Sequence, residues 1–217
     1  VIQHLGAKLL SEESLGLAFD DSKSHTCQRT DQRAFISFAQ GKLNGHFVYD
    51  DVTIGSGPGS ITIQNQKFGN VEEEHNIFRS NYQAIVGLAY PALAQPGVVP
   101  VFDNMMKQDL LKDNLFAFYL GSSALGEESD LTFGYYDKTK FVGKIQWNPV
   151  VFRYMYGMRL DDVLIGGRSL GICGSDRDCI VTVDSGSSLL AMPNYAFNVL
   201  KEYGLPTRHG HVQCDGV

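Results

Sequence analysis

The sequence predicts an all-β fold, on three observations. Runs of β-branched and aromatic residues recur from Ala34 to Gly69, "AFISFAQGKLNGHFVYDDVTIGSGPGSITIQNQKFG". Glycine-rich stretches, "QGKLNG" and "GSGPGS", punctuate these runs as turns, at the spacing of a sandwich or barrel. Only two segments carry a helical signature. A chain of 217 residues, 43% hydrophobic and 19% charged, is long and apolar enough to bury a core in one or two domains.

Taking the elements in order, Gly55-Ser56-Gly57-Pro58-Gly59 invites a phosphate-loop reading. It lacks the Lys-Ser/Thr ending and the GxGxxG spacing, so a hairpin turn is expected. "VEEEHNIF", from Val71, reads as a solvated loop rather than a metal cluster. "PVFDNMMKQDLL" opens with Pro100, which suits a first helical turn. "GEESDLTFGYYDKTKFVGKIQWNPV" reads as a hairpin turning near Asp137-Lys138, and a lobe boundary is placed near Trp147 to Arg153. "PNYAFNVLKEYG" is the second helix, with Ala196, Val199, Leu200 and Tyr203 on one apolar face and Gly204 as a stop.

Composition excludes several functions. The net charge is -6 and there is no basic stripe, so nucleic acid is not an expected partner. No apolar run reaches the ~18 residues that span a bilayer, and no signal-peptide pattern is present. Val1 in place of an initiator Met suggests a processed or partial chain. There is no Asn-x-Ser/Thr acceptor.

Cys173 and Cys179 flank "GSDRD". A metal site would need more than Asp176 and Asp178 from that loop, so a small disulfide and an oxidising compartment are favoured. Cys27 reads as a half-buried thiol rather than a nucleophile, with no paired His in view. His209-Gly210-His211 reads as a solvated pair rather than a metal site.

The chemistry centres on "CIVTVDSGSSLLAMP". Ile180 to Val183 read as a buried strand, and Asp184-Ser185-Gly186 break it. A strand-ending turn is the simplest reading of those three residues. Yet this carboxylate sits in apolar sequence on both sides, and burial would raise its pKa unless donors surround it. Ser185, Gly186 and Ser187 offer such donors through backbone N–H and hydroxyl groups.

The arrangement resembles the pepsin-like aspartic proteases, whose signature is Asp-Thr/Ser-Gly-Thr/Ser. The likeness extends through "AIVGLAYPAL", "PVFDNMMKQDLLKDNLFAFYL", "LTFGYYDKTKFVGKIQWNPV", "CGSDRDC" and the stretch from Asp20 to Gly55. It implies a bilobal all-β fold with both lobes incomplete: residues 1–147 in the N-terminal lobe with its flap, 148–217 in the C-terminal lobe. It also implies acid-dependent endopeptidase activity without a cofactor or metal. In the family two carboxylates, one per lobe, hold a water and share one proton; pepsin is the standard example of such a dyad. Asp184 would supply one, supported by Ser185, Gly186 and Ser187. Phe38, Ala39, Gln40 and Gly41 would lie on the flap, and Cys173–Cys179 would be the disulfide loop before the second catalytic Asp.

A first Asp-Thr/Ser-Gly is not found; Asp20-Asp21-Ser22 and Asp215-Gly216 do not match it. The resemblance implies that Ile85-Val86-Gly87 lacks its catalytic strand here and that Cys214 pairs beyond Val217. The missing segments could be partner chains. The site also departs from the family pattern: Phe38-Ala39 replaces Tyr-Gly, Gln83-Ala84 replaces Asp-Gly, and Tyr135 replaces a Gly. An inactive homologue that binds peptide or protein is therefore the alternative, and a homodimer joining two copies of Asp184 a third reading. The substrate would be a peptide or protein, and the compartment secretory, secreted or lysosomal/vacuolar.

Overall fold

The computed structural model describes residues 4–5, 19–37, 41–75, 84–174, 177–187, 189–203, 207–208 and 211–212. In chain order the strands are β1 (His4–Leu5), β2 (Gln28–Ser37), β3 (Lys42–Ile54), β4 (Ile61–His75), β5 (Val86–Gly87), β6 (Phe116–Tyr119) and β7 (Asp130–Phe133). They continue with β8 (Phe152–Arg153), β9 (Tyr156–Leu160), β10 (Leu164–Ile165), β11 (Arg168–Ser169), β12 (Cys179–Thr182), β13 (Thr207–Arg208) and β14 (His211–Val212). Helix α1 is Val101–Lys107 and α2 is Asn194–Glu202. The all-β expectation holds.

The largest element is the antiparallel sheet β2-β3-β4. β3 and β4 pair from Lys42↔His75 to Ile54↔Ile61, so "GSGPGS" is the hairpin turn it was read to be. Gly55 and Gly57 take positive φ there, +83° and +68°, which a side chain would strain.

Two other readings of this sheet are corrected. "QGKLNG" is not a turn from end to end, because Lys42 to Gly45 already belong to the ladder. Gly45 sits at a bulge, where a Cβ would come 1.9 Å from the Asn70 carbonyl oxygen. The glycine serves a close backbone approach there. "VEEEHNIF" is not a loop over its first half, since Val71 to His75 complete β4. β3 supplies the ladder partners, and Arg33 and His46 meet the charge of Glu72.

The core forms where the far end of β4 meets α1. Ile63, Leu88, Phe102, Met105 and Phe133 make one buried cluster, with Val86, Phe116 and Leu131 packed around it. Polar side chains lace the two elements together. The Gln64 N–H donates to Gln108 Oε1 (3.0 Å), Gln108 Nε2 donates to the Gln64 carbonyl (2.9 Å), and Asn104 Nδ2 donates to Gln66 Oε1 (2.8 Å).

Helix α1 is shorter than its apolar pattern predicts. Asp109 adopts φ +52°, its N–H bonds the Met106 carbonyl, and the Leu110 N–H bonds the Met105 carbonyl. That is a Schellman cap with an aspartate where glycine is usual, so the sequence carries no stop signal there.

The expected hairpin around Asp137-Lys138 is also corrected. Asp137 caps a 3₁₀ turn by accepting from the Thr139 N–H, but β7 pairs backwards with β6, Phe116↔Phe133 to Tyr119↔Asp130. With β7 already paired to β6, residues after the turn gain no ladder from it and do not form a strand.

The second three-stranded sheet is β12-β9-β8. It meets the first core through rings. Tyr156 lies edge-on to Phe116, 5.6 Å between centroids, and 4.8 Å from Tyr90. Helix α2 buries Ala196 and Leu200 as its periodicity predicts, while Tyr203 stays exposed.

The bulge yields a prediction. Gly45→Ala should destabilise the protein by about 1–3 kcal/mol, since the added methyl overlaps main chain that cannot rotate away. A fall in the urea midpoint at unchanged slope checks it.

Candidate functional site

The site is built at the end of β12. That strand pairs antiparallel with β9 from Cys179↔Leu160 to Thr182↔Gly157. Gly157 admits its neighbours closely: a Cβ there would meet the Phe152 Cβ at 2.8 Å and Ile180 Cγ2 at 3.1 Å. The sequence reads Ile180 to Val183 as buried, and the structure corrects this. Among the described residues β12 lies at the edge of its sheet, with Ile180 54% and Val183 66% exposed. Leu189 and Leu190, beyond the turn, are also exposed.

Cys173 and Cys179 form the expected disulfide, Cα atoms 5.8 Å apart, and so fix the start of β12. Gly174 and Arg177 exchange backbone hydrogen bonds across the loop. The Arg177 guanidinium lies 4.1 Å over the Tyr195 ring and donates to the Ile172 carbonyl, which ties the loop to α2.

Asp162 anchors the approach to this loop, a role the sequence did not disclose. Its carboxylate accepts from the Ser169 hydroxyl and from the N–H groups of Gly171 (2.9 Å) and Ile172 (2.9 Å). The Ser169 hydrogen bond first, with these and neighbouring backbone donors, holds the Asp162 pKa well below the usual carboxylate range.

Asp184 follows β12 and is half-buried. Its Oδ1 accepts from the Gly186 N–H (3.0 Å) and its Oδ2 from the Ser187 hydroxyl (2.7 Å). The Ser187 N–H closes the turn onto the Asp184 carbonyl (3.2 Å). Both carboxylate oxygens are thus held by groups two and three residues on, and the side chain is oriented by its own turn. Gly186 and Ser187 supply the anticipated donors, whereas Ser185 is exposed. Among the described residues no second carboxylate is hydrogen-bonded to Asp184. Thr182, two residues earlier, has a buried hydroxyl with no partner among them.

The remaining candidates are scattered. Phe38, Ala39 and Gln40 lie outside the described residues, as do Gln83, Gly204, His209, Gly210 and Cys214. Gly41 is half-buried just before β3. Val86-Gly87, expected to lack its catalytic Asp strand, pairs with His4–Leu5, which carries no Asp. Cys27 is a half-buried free thiol whose pKa is pushed up by burial and then by Asp50, a poor setting for a nucleophile. No group of three or more His, Cys, Asp or Glu is placed to hold a metal among the described residues, and none of their helices is long and apolar enough to cross a membrane.

A mostly β chain with a carboxylate held by its own Ser-Gly-Ser turn points to one class, and comparison with known sequences agrees. The eukaryotic aspartyl protease family matches residues 8–216, and the chain belongs to that family. It is 35% identical to pepsin A of Gallus gallus over 203 residues, 92% of this chain and 53% of that protein. It is 35% identical to gastricsin of Rattus norvegicus over 205 residues, 92% and 51% of the two. Against cathepsin E of Cavia porcellus the figure is 35% over 186 residues, 85% and 46%. The chain spans about half the length of the curated relatives it matches.

The Asp162 anchor sets a pH dependence. A folded pKa below the unfolded value of about 3.9 gives stability that is full well above that value and lost as pH falls toward the folded one. Asp162→Asn should therefore lower the urea midpoint at pH 5 to 7, and the gap to wild type should narrow below about pH 4.

Proposed function

We propose that the chain is part of an aspartic endopeptidase acting on peptide bonds at acidic pH, with Asp184 as one member of a two-carboxylate site. The observation that carries this reading is the Asp184 carboxylate, held on both oxygens at a strand end by Gly186 and Ser187. Such a carboxylate is pre-oriented and keeps lone pairs for a water. One carboxylate acts as base toward that water while the other acts as acid toward the scissile carbonyl, and the pair titrates as a unit. Ser185 continues the motif, and Phe38 to Gly41 form the flap over an extended substrate. Residues 1–147 and 148–217 belong to the two lobes, and the second carboxylate comes from polypeptide outside this sequence.

The exposed Ile180 side chain and the buried Thr182 hydroxyl, without a partner among the described residues, support a further segment against β12. The disulfide supports an oxidising compartment, hence the secretory or endolysosomal route. A binding homologue is the second reading, favoured by Phe38-Ala39 and Gln83-Ala84 in place of the family residues.

Non-reduced mass spectrometry of native material, with sequencing of any accompanying polypeptide, comes first. With a second Asp-Thr/Ser-Gly present, cleavage of a fluorogenic peptide should show an acid optimum. Asp184→Asn should then lower kcat/KM at least about a thousandfold. A fold-competent Asp184→Asn protein with undiminished cleavage removes Asp184 from the mechanism. Peptide binding without cleavage selects the binding homologue.

A further inference from the structure

Residues 20–26 run ahead of β2 as a short strap, and among the described residues its polar ties to the sheet are made through carboxylates. Asp21 in the strap pairs with Arg29 on β2 at 2.6 Å. Asp50 on β3, only 4% exposed, accepts from the Thr26 hydroxyl of the strap and from the Asp51 N–H. Within the strap Asp20 closes a turn, accepting from the Ser22 N–H (3.1 Å) and hydroxyl (2.6 Å) and pairing with Lys23 Nζ (3.0 Å). Phe19, just ahead, lies edge-on to Phe68 of β4, 5.2 Å between centroids.

A buried carboxylate is costly without a counter-charge or donors. No cation pairs with Asp50 among the described residues. Arg29 is taken by Asp21, and Lys67, beside the Asp50 ladder partner Gln66, gives its Nζ to Gln32. The half-buried Cys27 thiol faces Asp50 and Asp21, the Asp51 carboxylate accepts from the Asn65 N–H, and His25 is exposed. The Asp50 charge is thus held by neutral groups, some of them on the strap, and the strap is held by that charge. Burial raises the Asp50 pKa, but the hydrogen bonds from Thr26, Ser24 and the Asp51 N–H outweigh it and leave the group below its ordinary value. Hydrogen bonds from Ser22, then Lys23, hold Asp20 at about 2. Such groups stabilise fully above the unfolded value of about 3.9 and lose that effect as pH falls toward the folded one.

We propose that residues 20–26 form an acid-released strap: loss of charge on Asp50 and Asp21 frees the segment from β3 and β2 and opens Cys27 to solvent, while the sheet beneath stays paired. The sheet is held by its β3–β4 backbone ladder and by an apolar cluster, neither of which titrates. The inference does not involve Asp184 and stands apart from the proteolytic reading.

Hydrogen exchange of the native protein that carries this chain tests it, from about pH 5.5 to about pH 2.5, after correction for the intrinsic pH dependence of exchange. The Ser22, Lys23 and Thr26 N–H groups are hydrogen-bonded within the strap and report its closure. Their protection should fall at least about tenfold across that range, while the β3–β4 peptide keeps its own. Labelling of Cys27 by dithiodipyridine, measured relative to free cysteine at each pH, should accelerate in parallel. Asp50→Asn should leave the strap open throughout and flatten the profile, and Thr26→Val should open it already at the higher pH. Should Asp50→Asn not fold, the wild-type profile and Thr26→Val still decide. Strap protection that does not change with pH, simultaneous loss of the β3–β4 protection, a folded Asp50→Asn protein with the wild-type profile, or undiminished protection in Thr26→Val overturns the proposal.

Discussion

Ile63 on β4 and Met105 on α1 are both fully withdrawn from solvent, and the first half of the structure is arranged around the cluster they share. A long hairpin cannot remain ordered as an isolated ribbon. It needs its apolar face covered, and the short helix does so while Gln66 and Asn104 satisfy amide and backbone groups beneath it and Gln64 and Gln108 pair at its exposed margin. Phe133 and Phe116 then bring β7 and β6 to the same cluster. Full withdrawal of a Met side chain and its neighbours is worth roughly 1.5–3 kcal/mol apiece. The helix of seven residues is too short to persist without that burial.

The candidate site is organised by different means. Few of its apolar groups are deeply buried, and its geometry comes from covalent and polar ties. The disulfide fixes where β12 starts, Asp162 gathers the loop before it, and Arg177 over Tyr195 attaches that loop to α2. Asp184 is set by two short-range hydrogen bonds at the other end of the strand. A carboxylate oriented by groups two and three residues away keeps its pose independently of what packs against β12.

What the sequence disclosed follows the range of the forces involved. The donors to Asp184 lie within three residues, so the turn could be read directly. The α2 face and the Gly55–Gly59 hairpin turn are likewise written in adjacent residues. Lys67 and Gln66, polar residues in "QNQKFG", are both buried. Their partners Gln32 and Asn104 are 35 and 38 residues away, beyond any local pattern. The stop of α1 was invisible because Asp109 took a conformation that glycine ordinarily announces. The hairpin expected around Asp137 failed because its turn chemistry was right while β7 had already found its partner in β6. Ile180 and Val183 had the composition of a buried strand, but composition does not say whether a strand is central or at an edge.

The contact of Tyr156 with Phe116 and Tyr90 joins the second sheet to the first core. Burial first, then Tyr90 and Asp103, push the Tyr156 phenol well above its ordinary pKa. Across the acid and neutral range it stays an uncharged ring among rings. Asp20 and Asp162 behave oppositely, since their lowered pKa values record charges that strong acid removes. On descending pH the ties made by these two carboxylates are removed, while the Tyr156 ring stays uncharged. Strong acid thus loosens the loops tied by Asp20 and Asp162 without charging the phenol through which the two sheets touch.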